Sequence, residues 1–376
     1  MKITQVESIV LQTTIEPFGY SQMWFEKRGA SLVRISTDEG ITGWGECYGP
    51  GACHKGIIEK LFAPMLLGKD PTNIGVLWEY MYNQSRDYGQ KGVLISALSG
   101  IDIALWDIFG KALGQPVCKL IGGIRRERIK AYATGMYFKK TAGAAEALAR
   151  EAEGYVKIGF SAVKMKLGQG EDTDAACVKA VRKAIGADIT LMVDANHAYN
   201  STRALRVAHS IAEHNIYWLE EPVPPEDVDG YLEVKTRGPI PVAGGECEFT
   251  RFGFKELLSR RAVDYVQPDT CTTGGISEVL KIIALASVYN IQYIPHVWGS
   301  SIALATALHV LAALPDFPLS LDPVEPMLEF DRTENPFRTG LALNPIEQKN
   351  GYVSVPMGPG LGIDIDEKLI ERYRIA

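Results

Sequence analysis

The chain has 376 residues, too many for one typical domain, with 46% hydrophobic and 22% charged residues, the balance of a folded globular protein rather than a disordered one. Its net charge of −6 disfavours nucleic acid and anionic membranes as partners. The first residues, MKITQVESIVLQ, lack the apolar core of a signal peptide, and no run approaches the ~20 apolar residues of a membrane span, so a cytoplasmic location is expected.

Residues 1 to about 50 alternate β-branched and polar residues in ITQVESIVLQ and ASLVRISTDEGITGWGEC, which predicts strands and hairpins with DEG as a turn. Residues 55 to 122 turn helical. In LISALSGIDIALWDIFGKALG, Leu98, Ile101, Leu105 and Ile108 fall on one face, and Pro116 ends the run. Strands followed by helices predict an α+β unit over about 1–125. From about 126 to 345 the pattern becomes strand then helix, repeated. The predicted strands are IKAYATG, SAVKMKLG, ITLMVDAN, IYWLEEP, IPVAGGE, VDYVQPD, QYIPHV and PLSLDPV. Eight strands joined by helical crossovers predict an α/β fold, a closed parallel TIM-like barrel. The six cysteines, at 47, 53, 118, 177, 247 and 271, form no CxxC pair and are expected to be buried free thiols.

Three predicted strands end in single carboxylates at equal spacing: Asp194, Glu220 and Glu246 are 26 residues apart. A βα unit is about that long, so the three should converge at the carboxyl-terminal mouth of the barrel. They would repel one another without a hard divalent cation, and oxygen-only ligands favour Mg²⁺, Ca²⁺ or Mn²⁺ over zinc. The flanking strands add Lys164 and Lys166 on one face, Asp269 after QP, and His296 in PHVW. Each has an ordinary reading alone: a solvated KxK strand, a helix N-cap, a structural histidine. Their placement on consecutive strand ends points instead to one site.

That set suits proton abstraction next to a carboxylate. The α-proton lies roughly 20 pKa units beyond a side-chain base, or roughly 27 kcal/mol. A cation must therefore stabilise the enediolate as it forms. Lys166 is the expected base, made neutral by the Lys164 ammonium and the cation. Lys164 is a candidate for the substrate carboxylate. His296, oriented by Asp269, is the acid or base on the opposite side. Asn196 is a candidate substrate donor, and His197 follows the Asp194 loop closely enough to reach the site. His209, His214 and His309 lie in helical patterns and are expected to be structural.

KMK at 164–166, DAN at 194–196, EEP at 220–222, GGE at 244–246, QPD at 267–269 and His296 resemble the enolase superfamily, mandelate racemase subgroup. The resemblance extends from GITGWGE (Gly40–Glu46) and SGIDIALWD (Ser99–Asp107) to PMGPGLGI (Pro356–Ile363). It implies a (β/α)7β barrel under an α+β capping domain completed by residues 346–376, with Mg²⁺ on Asp194, Glu220 and Glu246. It also implies a small carboxylate substrate and a homo-oligomer. RDYGQKG (Arg86–Gly92), DANHAY, PHVWGS and VEPMLEFDRTENPFR (Val324–Arg338) are most similar to the galactarolactone cycloisomerase type within that family. This implies α-proton removal followed by loss of a ring oxygen from the β-carbon, giving a keto-deoxy diacid.

Candidates for the distal end of the substrate are Tyr20, Trp24, His54 and Arg86, with Lys91 and Arg332 as further cations. An aromatic at Trp24 suits a less charged distal group. Glu325 is the first choice for the family's late-barrel glutamate and Glu329 the second. An open-chain acid-sugar dehydratase, or a racemase or epimerase working by 1,1-proton transfer, needs most of the same residues. A non-catalytic metal-stabilised binding module is the reading from a different class, disfavoured by the complete Lys–Asp–His set.

Overall fold

The computed structural model describes residues 1–140, 143–318 and 320–376. The chain opens with an antiparallel sheet of β1 (Ile3–Gly19), β2 (Trp24–Thr37) and β3 (Thr42–Cys47). Five helices follow: α1 (Gly51–Ile57), α2 (Ala63–Leu66), α3 (Ile74–Ser85), α4 (Val93–Leu113) and α5 (Val117–Ile121). A core of Val33, Ile35, Trp78, Leu98, Ile101 and Leu105 joins sheet to helices. α4 lies directly on β3 because Gly43 and Gly45 have no side chains. A Cβ on Gly45 would sit 1.8 Å from the Gly100 carbonyl oxygen. At 21 residues α4 is long and apolar enough to cross a membrane, contrary to the sequence expectation. Its apolar window is 83% buried, which is the environment of a core helix.

The second unit is the expected barrel, of (β/α)7β order. Its strands and helices are β4 (Arg128–Thr134), α6 (Ala144–Lys157), β5 (Ala162–Lys166), α7 (Glu171–Ile185), β6 (Thr190–Asp194), α8 (Ser201–Ile211), β7 (Ile216–Glu220), α9 (Val228–Arg237), β8 (Val242–Gly244), α10 (Thr250–Ser259), β9 (Tyr265–Val266), α11 (Gly275–Val288), β10 (Gln292–Tyr293), α12 (Ser301–Ala313) and β11 (Met327–Asp331). Neighbouring strands from β4 to β10 pair in parallel, and β11 returns to pair with β4. Tyr132, Ala162, Met192, Trp218, Ala243, Ile294 and Met327 fill the interior as one buried cluster. Side chains alternate along a strand. The next inward positions are therefore Thr134, Lys164, Asp194, Glu220 and Glu329, stacked above this apolar floor.

One strand lies elsewhere than expected. PLSLDPV (318–324) was to be the eighth strand; residue 319 is outside the described residues, and 320–326 form no strand. Pro323 and Pro326 each lack the N–H that a ladder needs. The strand starts directly after them, at Met327. The cysteine expectation also needs one correction: Cys53 is exposed and Cys247 half-buried, while the other four are buried and all six are free.

After α13 (Pro336–Gly340), the short β12 (Gln348–Lys349) and β13 (Tyr352–Ser354) form a hairpin, and β13 pairs antiparallel with β4 of the barrel. α14 (Glu367–Tyr373) then leads back to the first sheet, where Val10 exchanges backbone hydrogen bonds with Ile375 and Ala376. Residues 346–376 thus touch both units. The sheet is fastened over the barrel mouth by buried polar contacts. Arg28 pairs with Asp331 at 2.9 Å. Glu46 accepts from Ser300 N, Ser300 Oγ and Ala303 N at the start of α12, at 2.9, 2.6 and 3.0 Å.

The β3–α4 contact allows a direct check. Gly45→Ala forces the strand away from α4 and should destabilise the protein by about 2 kcal/mol, within the range for overpacking. A thermal melt unchanged from wild type would contradict the close approach.

Candidate active site and its carboxylates

Parallel pairing places the reactive groups at one level. Lys166 is the register partner of Asp194, and Asp194 that of Glu220. Glu246 follows β8 by two residues. One oxygen from each of Asp194, Glu220 and Glu246 lies within 4.8 Å of the others. Asp194 and Glu220 are fully buried. Trp218 Nε1 and Gln267 Nε2 donate to Glu220 Oε2 at 2.9 and 2.8 Å, and Asn196 N donates to Asp194 Oδ1 at 2.9 Å. These bonds fix the carboxylates and leave their other oxygens facing the centre.

Both lysines lie against this cluster. Lys166 Nζ is 2.5 Å from Asp194 Oδ2. Lys164 Nζ contacts Glu220 Oε1 and lies 2.9 Å from Glu329 Oε1. Burial alone would lower the Lys166 pKa, but Asp194 and Tyr137 outweigh both burial and the Lys164 charge, and the pKa is raised. The neutral Lys166 expected from sequence is therefore not the state these protein charges set. Two lysines one layer apart cannot offset four facing carboxylates. Asp194 is in turn held at about 2, since Lys166 and Lys164 overcome its burial.

Across the mouth, His296 Nδ1 is 2.7 Å from Asp269 Oδ2 and its Nε2 is 3.5 Å from Glu246 Oε2. Burial would lower the imidazole, but Glu246 and the Asp269 hydrogen bond lift it to about 10. These protein charges therefore favour the imidazolium form of His296. It follows β10, which β4 and β11 separate from β5 on one side and β6 to β9 on the other. Lys166 and His296 thus face the cluster from different sides.

The two late glutamates exchange their expected rank. Glu325 is exposed and its nearest partner is Tyr352, at 3.2 Å. Glu329 is the buried one: it accepts from Thr134 Oγ1 at 2.6 Å and from Val297 N at 2.9 Å, next to Lys164. The cause is the start of β11 after Pro326, which turns Glu329 inward.

The distal candidates separate as well. Tyr20 is half-buried, stacked on Phe25 at 5.6 Å, and burial together with Glu246 raises its pKa. It belongs to the mouth. Trp24 is 41% exposed with Lys140 5.0 Å from its ring, on the rim. His54 is buried within the cap and bonded to Ser31 at 3.1 Å; burial lowers it to about 4. Arg86 is exposed at the end of α3 with Asn83 as its partner, Lys91 pairs with Glu248, and Arg332 lines a cavity of about 490 Å³ with Lys139, Lys140, Phe18 and Tyr137. The structure does not bring His54 or Arg86 to the carboxylates. They were chosen from motif likeness, and neither lies on a strand whose register fixes its direction.

The cap segments 18–27 and 48–54 contribute to an aromatic wall whose members, beyond Tyr20 and Trp24, were not singled out in the sequence. Tyr48 meets His296 edge-on at 5.6 Å and Trp298 at 6.3 Å. Trp298 packs on Phe25 at 5.0 Å, and Tyr137 packs on Phe18 at 4.8 Å with Lys166 Nζ 5.0 Å from its ring. PHVW was read only for His296. The other rings come from distant segments that meet only when the cap docks.

The fold and this site define a two-domain barrel enzyme with two lysines and a histidine around a carboxylate cluster. Residues 3–122 match the N-terminal domain of the mandelate racemase/muconate lactonizing enzyme family, and residues 147–369 match the enolase C-terminal domain-like family. The chain belongs to the enolase superfamily and is an enzyme of the isomerase or lyase type. It is 43% identical to D-galactarolactone cycloisomerase of Agrobacterium fabrum, covering 100% of this chain and 99% of that protein. It is 37% identical to arabinonate dehydratase of Saccharolobus solfataricus, covering 91% and 90%. The crystal structure of 3,6-anhydro-D-galactonate cycloisomerase from Zobellia galactanivorans superimposes with a TM-score of 0.91 at 42% identity, with both chains fully covered.

The Asp269 contact predicts a measurable shift. In Asp269→Asn the His296 imidazole should titrate below its present value of about 10, toward the ordinary 6.5. NMR titration of labelled histidine reads this directly, and an unmoved value would show that Asp269 does not hold the proton there.

Proposed function

We propose that the chain catalyses the Mg²⁺-dependent cycloisomerisation of a cyclic sugar acid. The proton α to the free carboxylate is removed, and the ring oxygen leaves the β-carbon. The resulting enol becomes a 2-keto-3-deoxy acid. The observation that carries this reading is the pair Lys166 and His296, facing one carboxylate cluster from different sides.

Asp194, Glu220 and Glu246 would hold the Mg²⁺. The fit rests on their convergence within 4.8 Å and on Lys166 and Lys164, whose ammonium groups lie on Asp194 and Glu220 as cations. When bound, the ion supplies electrostatic stabilisation of the enediolate's developing charge. Lys166, as the neutral amine, takes the α-proton. Lys164, fixed between Glu220 and Glu329, supplies a buried positive charge for the substrate carboxylate. His296 gives its proton to the departing ring oxygen, and Asp269 keeps Nδ1 occupied so that Nε2 is the donor. A proton is returned to the β-carbon as the enol becomes the ketone. No water enters or leaves, so the change is an isomerisation.

The aromatic wall favours an uncharged, cyclic distal end. Phe25, Tyr48 and Trp298 offer ring faces, and Arg28, 3.5 Å from the Trp298 ring centroid, is already paired with Asp331. A sugar ring can lay its C–H face on such a surface. A lactone of a diacid and a 3,6-anhydro acid both meet this description, each with one free carboxylate. These are the substrate classes named for two of the similar proteins. A second reading, dehydration of an open-chain sugar acid, is supported by the same charged His296, which suits a β-hydroxyl leaving group equally well.

Sugar acids, their lactones and anhydro acids incubated with Mg²⁺ in D₂O distinguish the readings by NMR. The expected outcome is ring opening to a 2-keto-3-deoxy acid from a cyclic substrate, with open-chain acids inert. Lys166→Ala should lower turnover by about 10²–10⁴-fold or more and end α-proton exchange while the fold persists. Turnover of open-chain acids alone would establish the dehydratase. Wild-type exchange in both the Lys166→Ala and His296→Ala variants would remove the proposed mechanism.

A further inference from the structure

A second group of donor atoms lies beside the first. His197, Glu221 and Cys247 follow Asp194, Glu220 and Glu246 by three, one and one residues. One ligand atom from each falls within 4.8 Å of the others. His197 Nε2 is 3.1 Å from Glu221 Oε2 and 3.6 Å from Cys247 Sγ. That nitrogen carries at most one proton, so it can donate to only one of the two groups it faces. The three atoms converge on a common space that hydrogen bonding alone leaves partly unsatisfied.

Glu221 gives the independent indication. It is 1% exposed, its Oε1 has no hydrogen-bond partner, and among the described residues only His197 lies within ion-pair distance. The buried Asn196 Oδ1 and the His197 Nδ1 are also without partners. A buried carboxylate needs a compensating cation or a full set of donors; Glu221 Oε2 has His197 and, at 3.3 Å, Asn196 Nδ2, while Oε1 has none. The backbone is held in the left-handed region at Asn196, His197 and Glu221, with φ of 41°, 63° and 44°. None of these is glycine, and such conformations persist only where the surroundings impose them.

One nitrogen, one carboxylate oxygen and one thiolate sulfur are a different donor set from three carboxylates. Hard Mg²⁺ prefers oxygen alone, whereas Zn²⁺ and Co²⁺ accept all three donors and leave a fourth position for water. We propose that His197, Glu221 and Cys247 form a second cation site, selective for a borderline-soft divalent ion such as Zn²⁺ over Mg²⁺. Binding releases the Cys247 thiol proton to solvent as the sulfur becomes a ligand. The site is separate from the proposed reaction, because none of its three ligands has a role in the proton transfers.

Co²⁺ is the probe, added to the full-length, Mg²⁺-saturated protein and followed by absorbance. Cobalt held by a thiolate gives a near-ultraviolet charge-transfer band that an all-carboxylate site does not. The expected result is a band that saturates at one added equivalent and is displaced by Zn²⁺. It should persist in Cys53→Ser, which removes the exposed thiol, and vanish in Cys247→Ser. In His197→Ala, half-saturation should need about tenfold more Co²⁺ or above, the scale of loss seen when metal-site contacts are removed. Absence of the band in the wild-type protein would overturn the proposal without any variant. So would a band that survives Cys247→Ser. Both outcomes are independent of turnover, so they leave the proposed reaction to its own test.

Discussion

The mouth of this barrel depends on charge pairing between adjacent strands. Asp194, Glu220, Glu221, Asp269 and Glu329 are nearly or fully buried, and Glu246 is half-buried beside them. Among the described residues, Lys164, Lys166 and His296 stand against these carboxylates, with His197 on Glu221. Burying one carboxylate without a partner costs several kcal/mol, so the arrangement is tolerable only because parallel register sets lysine against carboxylate. The Lys166–Asp194 and Asp194–Glu220 partners in the ladder are therefore as much a condition of folding as of chemistry. Under the proposed function, the carboxylates left over are those that would meet a cation. The substrate, itself an anion, can approach only once those charges are met.

The apolar floor beneath makes this charge pattern rigid. Tyr132, Met192, Trp218 and Met327 fill the barrel one layer down, and alternation along each strand then leaves the next inward side chain no choice of direction. Trp218 contributes twice: its ring packs in the floor and its Nε1 holds Glu220. The cap completes the site from above with its aromatic wall. Arg28 on Asp331 and Glu46 on the start of α12 tie cap to barrel through buried charges, which favour one docking geometry because any other would leave those charges unpaired. Position over the mouth, and so the substrate surface, is a consequence of these ties.

Much of this was legible in the chain. The 26-residue spacing carried the carboxylates, period-two alternation carried Lys164 and Lys166, and the strand-then-helix pattern carried the barrel. What failed was information that register and docking create. PLSLDPV looks apolar enough for a strand, yet its proline cannot donate to a ladder, and the real strand alternates as Met327, Glu329, Asp331. Glu329 could have been chosen over Glu325 on that alternation alone. His54 and Arg86 came from motif likeness without a strand to direct them. The raised Lys166 pKa was hidden because it sums charges from Asp194, Tyr137 and Glu246, which lie on or just after three other strands.

A cation on Asp194 would change that sum. The principal force raising Lys166 against its burial is the Asp194 carboxylate 2.5 Å away, and a carboxylate shared with a divalent ion exerts less of it. Burial and the Lys164 charge both favour the neutral amine and remain unchanged. The same ion, held also by Glu246, would weaken the main force raising His296 and leave the Asp269 hydrogen bond on Nδ1 in place. Under the proposed function one ion would thus lower both groups, while the Asp269 contact, which Lys166 lacks, would still favour imidazolium at His296. A β-elimination needs this asymmetry, because the base must be empty while the acid is loaded. A 1,1-proton transfer needs it too, and what separates the reactions is whether a ring oxygen on the β-carbon reaches His296 along the wall of Tyr48, Trp298 and Phe25.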